Sequence, residues 1–193
     1  MSLSKIRSNH APIARLQKKI RATLKNGGLI AYPTSSCFGL GCDPSNHRAL
    51  KKLLALKKRP HHKGFIFIGH NFNQLKKYIR PLNTQELEPA LKSWPGPHTW
   101  LMPASKKTIP LLHGNHHTLA VRVDGHSPTR FLLTLINQPL VSTSANLSGK
   151  RAYKQTRDCL RQFGKNVLVI PGRTGKSKTP SSIHDLASGR KIR

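Results

Sequence analysis

The sequence predicts a layered α/β fold with a mixed sheet, and three observations carry this prediction. Short apolar runs typical of buried strands alternate along the chain with amphipathic stretches typical of helices. No internal repeat or long Pro/Gly linker divides the 193 residues, a length that fits one domain. No apolar run approaches the roughly 18–20 residues that cross a bilayer, so we expect no membrane span and no membrane partner.

Amphipathic stretches predict five helices. The first covers residues 13–25, where apolar residues recur every three or four positions, and Gly27-Gly28 ends it. The other helices are predicted at residues 46–58, 84–92, 128–136 and 156–163.

Apolar runs bounded by turn residues predict seven strands. The first strand covers residues 29–32 and stops at Pro33, which cannot donate to a sheet ladder. The other strands are predicted at residues 65–68, 99–102, 119–123, 140–141, 167–170 and 182–186.

Two segments rich in hydroxyls and glycine follow predicted strands. One extends from Tyr32 to Gly41 and the other from Ser142 to Gly149. Loops at strand ends are where α/β sheets usually bind ligands, through hydroxyls and backbone N–H groups. An ordinary glycine turn remains the alternative for the first segment.

Charge is the extreme feature of the composition. Lys and Arg total 34 against 6 Asp and Glu, which gives a formal net charge of +28. Such an imbalance favours an anionic partner, and the absence of an aromatic membrane-surface helix favours nucleic acid. A general basic bias of the source proteome is the alternative. Because carboxylates are scarce, we expect neither a two-carboxylate hydrolase nor a carboxylate metal site.

Lys57 falls on the apolar face of the second predicted helix, in line with Leu50, Leu53 and Leu54. Its side chain could pass the edge of the core to reach solvent, or it could reach into a pocket that needs a cation. Periodicity alone does not choose between these interpretations. Pro60 ends the helix near Arg59, so both cations would project from its carboxyl end.

Three other features of the sequence are not expected to form a binding or catalytic site. Gly175-Lys176-Ser177 imitates the end of a P-loop, but Ile170 stands where the motif needs glycine and Pro180 follows instead of a helix. The histidines near residues 61 and 113–117 are expected to be solvated loop residues. Three cysteines indicate reduced thiols, and the first fifteen residues lack the apolar core of a signal peptide, so we expect a cytoplasmic protein.

Five stretches resemble, in the same order, the TsaC/YrdC family, the threonylcarbamoyl-AMP synthases of tRNA modification. They are Thr34 to Gly41, Lys57-Lys58-Arg59 with Pro60, Ala120-Val121-Arg122, Ser142 to Gly149, and Pro180 to Ile183. The resemblance covers nearly the whole chain and is closest to the short, single-domain branch. It implies a twisted mixed sheet flanked by helices, with a deep positively charged groove. We expect one domain over residues 1–193, with about the last eight residues as a basic tail.

The resemblance implies a reaction in which L-threonine, bicarbonate or CO2, and ATP give L-threonylcarbamoyl-AMP and pyrophosphate. Threonylcarbamoyl-transferase complex proteins would then modify adenosine 37 of tRNAs that read codons starting with A. Mg²⁺ would be carried with the ATP, and the chain itself would hold no metal.

The resemblance also implies site residues. Lys57 and Arg59 would be catalytic and bind phosphate oxygens, whereas Arg122 would pair with the threonine carboxylate. Thr34 and Ser144 match positions near the threonine. Further nucleotide contacts are expected from Thr118, Asn146, Lys154 and Ser181.

Two other functions remain open. A non-catalytic protein of the same fold could bind tRNA or double-stranded RNA by shape and phosphate contact, as the charge favours. A carbamoyl-transfer module of the hydrogenase-maturation type is the second alternative, but those proteins carry additional domains. The charge also exceeds that of the relatives, which indicates direct contact with tRNA or a basic proteome.

Overall fold

A computed structural model describes the backbone of residues 3–193 and the side chains of residues 11–193. The amino-terminal stretch judged to lack a signal peptide therefore lies partly outside the described residues. The described chain forms helices and strands in the order α1 (Leu3–Lys25), β1 (Leu29–Pro33), β2 (Phe38–Cys42), α2 (His47–Lys57), β3 (Ile66–Gly69), α3 (Phe72–Leu75), α4 (Thr84–Ser93), β4 (His98–Pro103), α5 (Pro110–His113), β5 (Thr118–Val123), α6 (Ser127–Ile136), β6 (Leu140–Ser144), α7 (Thr156–Phe163), β7 (Val167–Val169) and β8 (Ser182–Asp185).

The strands form one eight-stranded sheet in the order β7-β1-β2-β6-β3-β5-β4-β8. Three neighbouring pairs are parallel, namely β1 with β7, β3 with β5 and β4 with β8. The other four pairs are antiparallel. The predicted mixed α/β sheet is therefore confirmed.

Helices cover both faces of the sheet, because alternate residues of each strand point to opposite sides. In β1, Leu29 and Ala31 belong to the larger core, which also contains the apolar residues of α2 and α7. Ile30 and Tyr32 belong to the second core, beneath α1 and α6. This two-sided packing places the strand ends, and the loops that follow them, at the edge where polar side chains collect.

The prediction of a loop from Tyr32 to Gly41 is wrong at both ends, because β1 includes Tyr32 and Pro33 and β2 begins at Phe38. Phe38, Leu40 and Cys42 point into the larger core, and glycines 39 and 41 alternate with them. A Cβ at Gly41 would lie 2.6 Å from Val141 O and 3.0 Å from the Tyr32 ring. The glycines leave room for Tyr32 and the neighbouring strand, so they mark a close approach within a sheet and not a turn.

The other predicted elements are present with ends that differ by up to three residues, except that α1 begins ten residues earlier than its predicted start at 13. The short helices α3 and α5 were not predicted. Residues 190–193, expected as part of a basic tail, return alongside β8, where Ile192 N donates to Ile183 O at 2.7 Å. Among the described residues, the structure contains no helix long and apolar enough to span a membrane.

Candidate active site

A cavity of about 960 Å³ opens where the ends of β1, β5 and β6 meet the carboxyl-terminal residues. Seven of the nine site residues predicted from the sequence line it, namely Thr34, Arg59, Arg122, Ser144, Asn146, Lys154 and Ser181. Lys57 lies behind the wall, in contact with two of the lining residues. Thr118 is not part of the wall and lies at the far end of the strand that carries Arg122.

The turn after β1 presents Thr34 to the cavity. Its backbone N–H and its hydroxyl both donate to Cys37 O, at 2.9 and 2.7 Å. The turn is held from outside by the segment that imitates a P-loop, where Gly175 N donates to Thr34 O at 2.9 Å. A Cβ at Gly175 would lie 2.5 Å from Ser35 O. This glycine therefore permits a close approach to the Thr34 turn, and no helix follows it.

Lys57 is the last residue of α2, and only 3% of it is exposed. Its ammonium donates to Ser144 O at 2.6 Å, to Asn146 O at 2.9 Å and to Asn146 Oδ1 at 3.0 Å. The side chain does not reach solvent, so the first of the two interpretations is wrong. All three hydrogen bonds go to the end of β6 and the loop that follows it, and the predicted contact with phosphate stays a prediction.

The same loop is joined into a network by Asn146. Its Oδ1 also accepts from the Ser144 hydroxyl at 2.6 Å, and its Nδ2 donates to Lys150 O at 2.6 Å. Lys57 adds a backbone contact, because its carbonyl accepts from Ser148 N at 3.2 Å. Burial, followed by the charge of Arg59, lowers the pKa of Lys57 to about 8.

Arg59 follows Lys58, whose left-handed conformation ends α2. The Arg59 guanidinium donates to Gly64 O from Nε at 3.1 Å and from Nη2 at 2.8 Å. Its Cζ atom lies 5.4 Å from the centre of the Phe65 ring. Burial lowers the pKa of Arg59. These contacts hold a cation at the cavity wall, where an anion can reach it.

Arg122 is buried at the end of β5 and donates to the carboxylate of Asp124. Sequence reasoning identified Arg122 but missed Asp124. Asp124 follows Arg122 by two positions, a spacing that puts both side chains on one side of an extended chain and that could have indicated the pair.

Arg193 is a further cavity residue that sequence reasoning missed. Arg193 Nη2 donates to the carbonyl oxygen of Ser181 at 3.0 Å. The Ser181 hydroxyl in turn accepts from Thr99 Oγ1 at 3.0 Å. Burial, followed by the charge of Arg122, lowers the pKa of Arg193. The pairing of residues 190–193 with β8 brings this guanidinium to the wall.

Cations dominate the lining of the cavity. The lining contains seven Lys and Arg residues and one carboxylate, that of Asp158. The Asp158 carboxylate itself lies 3.6 Å from Arg161 and 4.0 Å from Arg157. The seven are Arg59, Arg122, Lys150, Arg151, Lys154, Lys178 and Arg193. Among the residues whose side chains are described, no group of three His, Cys, Asp or Glu could hold a metal ion. The arrangement suits an anionic ligand.

A family model described as "Telomere recombination", for the Sua5, YciO and YrdC proteins, matches residues 22–193. The chain belongs to the Sua5/YciO/YrdC family. It is 51% identical to the threonylcarbamoyl-AMP synthase of Methylobacillus flagellatus, over 88% of this chain and 94% of the relative. It is 48% identical to that of Laribacter hongkongensis, over 93% of this chain and 97% of the relative.

Solved structures of Sua5/YciO/YrdC proteins share the fold. P. abyssi Sua5 complexed with L-threonine superposes with a TM-score of 0.78 at 28% identity, over 89% of this chain. The chain spans about half the length of that protein, 51%. E. coli YciO has a TM-score of 0.75 at 22% identity over 89% of this chain and 84% of YciO, a likeness of fold alone. The predicted family is confirmed.

Proposed function

We propose that this protein is a threonylcarbamoyl-AMP synthase. One observation carries the proposal: seven of the nine predicted substrate-contacting residues line one cavity, although they are scattered between Thr34 and Ser181 in the sequence. Relatives that bear this name and match over nearly their whole length support it.

The proposed reaction joins two anions. The uncharged threonine amine combines with CO2 supplied by bicarbonate to form a carbamate, with loss of a proton to solvent, and a carbamate oxygen then attacks the α-phosphorus of ATP. The bond to pyrophosphate breaks, which leaves threonylcarbamoyl-AMP. Because a carbamate is already a nucleophile, this attack needs no general base, and the protein's main tasks are alignment and charge neutralisation.

Arg122 is proposed to bind the threonine carboxylate, since a guanidinium offers a planar pair of donors to such a group. Thr34 and Ser144 supply hydroxyls to the same cavity. P. abyssi Sua5, which shares the fold, has been solved in complex with L-threonine, and this supports the same class of substrate here.

The nucleotide is proposed to lie along the cationic wall. Arg59, Lys154 and Arg193 would meet phosphate oxygens as negative charge moves to the pyrophosphate. Asn146, Ser181, Lys57 and Thr118 remain proposed nucleotide contacts. Mg²⁺ would arrive as part of the ATP substrate, because the one carboxylate in the wall, Asp158, lies among arginines and offers no carboxylate cage.

The product would serve tRNA modification in the cytoplasm. Threonylcarbamoyl-AMP is a mixed anhydride, so an acceptor complex must take it up before water does. The proposed acceptors are threonylcarbamoyl-transferase proteins acting on adenosine 37 of tRNA, with tRNA contact favoured by the net charge of +28.

Pyrophosphate release tests the proposal. The protein is incubated with Mg²⁺ and ATP, with and without L-threonine and bicarbonate, and release is expected only when both co-substrates are present. Pyrophosphate release that does not depend on threonine or bicarbonate would contradict the synthase proposal.

The charge favours a second function, RNA binding without catalysis. Affinity for double-stranded RNA that falls steeply with salt, without threonine-dependent turnover, would support this second function.

A further inference from the structure

Arg122 and Asp124 form a buried ion pair at the end of β5, with 8% and 3% of each residue exposed. Arg122 Nη2 donates to Asp124 Oδ2. The second carboxylate oxygen, Oδ1, accepts from His126 N at 2.8 Å. Both oxygens of Asp124 therefore have partners, and its removal would leave a buried guanidinium without its counter-charge.

The Nε of Arg122 is buried and has no hydrogen-bond partner among the described residues. Buried polar groups in native proteins are nearly always paired, so an unpaired donor on a cavity-lining arginine indicates a missing acceptor. A carboxylate is a charged acceptor that suits the unpaired N–H of a guanidinium. Asp124 holds the guanidinium at Nη2 and so limits how the free Nε–H can be turned.

Asp124 is also linked to the turn that carries Thr34. His126 Nδ1 lies 3.1 Å from Thr129 Oγ1, and this hydroxyl donates to Pro33 O at 3.2 Å. Pro33 precedes Thr34 directly. The contacts that start at Asp124 thus reach Arg122 and the residue before Thr34, two of the three positions proposed to hold the amino-acid substrate.

We infer that Asp124 is a positioning residue, which fixes the guanidinium of Arg122 so that it receives the carboxylate of the amino-acid substrate. The inference rests on the proposed function, because it takes threonine as that substrate. Two effects of Asp124 oppose each other. Its charge repels the incoming carboxylate, but without it Arg122 could rotate within the wall. The buried contacts on both carboxylate oxygens indicate that orientation has the larger effect.

Asp124→Asn tests this role with little change in volume. The amide has one oxygen, and when that oxygen accepts from His126 N, the amide NH2 faces the donors of Arg122. We expect calorimetric titration of the whole protein with L-threonine to show a Kd about tenfold higher or more. The KM for threonine should rise equally, whereas kcat and the KM for ATP should change much less.

Asp43→Asn is the matched control. Asp43 Oδ1 accepts from Ser45 N at 2.8 Å, the same two-residue turn that Asp124 makes, but Asp43 contacts neither Arg122 nor the cavity. The Kd of the Asp43→Asn variant for threonine should equal that of the wild-type protein. If Asp124→Asn does not fold, as judged by thermal unfolding, Asp124→Ser keeps an acceptor for His126 N and should show the same loss of affinity.

Two outcomes are separable. Wild-type affinity for threonine in the Asp124 variants would overturn the inference. Tighter binding would also overturn it, because it would show that the repulsion between Asp124 and the substrate carboxylate has the larger effect. Failure of the wild-type protein to bind threonine, alone or with ATP and bicarbonate, would overturn the proposed function and the inference with it.

Discussion

Lys57 donates its three protons to three oxygens at the end of β6 and in the loop after it, so in the substrate-free protein these hydrogen bonds hold Ser144 and Asn146 in place. A phosphate oxygen can receive one of these protons only by displacing an acceptor already in place. Contact with nucleotide at Lys57 would therefore loosen the loop that carries two other proposed site residues.

Lys57→Met should make this role measurable. The variant keeps a long apolar side chain but loses all three donors, so the backbone amides of residues 144–150 should exchange with deuterium faster in the absence of substrate. Hydrogen-exchange mass spectrometry detects the change. Arg59→Met is the control from the same motif, and it should affect the segment around Gly64, which Arg59 holds, and leave residues 144–150 unchanged. Unaltered exchange at residues 144–150 in Lys57→Met would contradict the role.

At the scale of elements, helices could be predicted because their signal is local. The apolar face of α2 follows from residue spacing, and Asn46 caps its start with a side-chain contact to Ala49 N at 3.0 Å. Strand β2 could not be predicted, because its glycines are needed to make room for Tyr32 and Val141. These two residues lie on other strands, and Val141 is distant in the sequence. The hydroxyl of Tyr32 donates to Ser142 across the same region at 2.8 Å.

Gly41→Ala should destabilise the protein more than Gly39→Ala does. The added Cβ at position 41 would meet the backbone oxygen of Val141 at 2.6 Å, which cannot move without disturbing the strand pair. At position 39 the nearest atoms are the Thr34 methyl group at 3.0 Å and the Tyr32 ring at 3.3 Å, so the added Cβ would meet side chains at a longer distance and no backbone atom. We expect a loss of about 1–3 kcal/mol in the free energy of unfolding for Gly41→Ala, measured by urea denaturation. Equal losses for the two variants would contradict this explanation of β2.

The site was predictable to the extent that its residues stand in recognisable motifs. Arg59 and Arg122 could be named from the sequence because each belongs to such a motif. Asp124 was missed although it stands two positions after Arg122, because it contacts Arg122 from outside the cavity and belongs to none of these motifs. Arg193 could not be named, because it reaches the cavity through the pairing of residues 190–193 with β8. Long-range placement of this second kind leaves no periodic trace.

At the scale of the whole molecule, the cavity accounts for a small part of the charge. Seven of the 34 Lys and Arg residues line it, which leaves 27 elsewhere in the sequence. Apart from Lys57, which is a proposed nucleotide contact, those cations are not required by ATP and threonine. They are available for a larger polyanion, and this is why tRNA contact remains part of the proposal while the chemistry rests on the cavity.

One cavity is proposed to join threonine, CO2 and the AMP part of ATP. Mass spectrometry of reactions with [13C]bicarbonate, L-threonine and MgATP tests this proposal most directly. We predict a product that contains threonine, AMP and one labelled carbon, formed in step with pyrophosphate and lost when Arg122 is replaced by alanine. Pyrophosphate release without a labelled adduct, or an adduct that persists without Arg122, would contradict it.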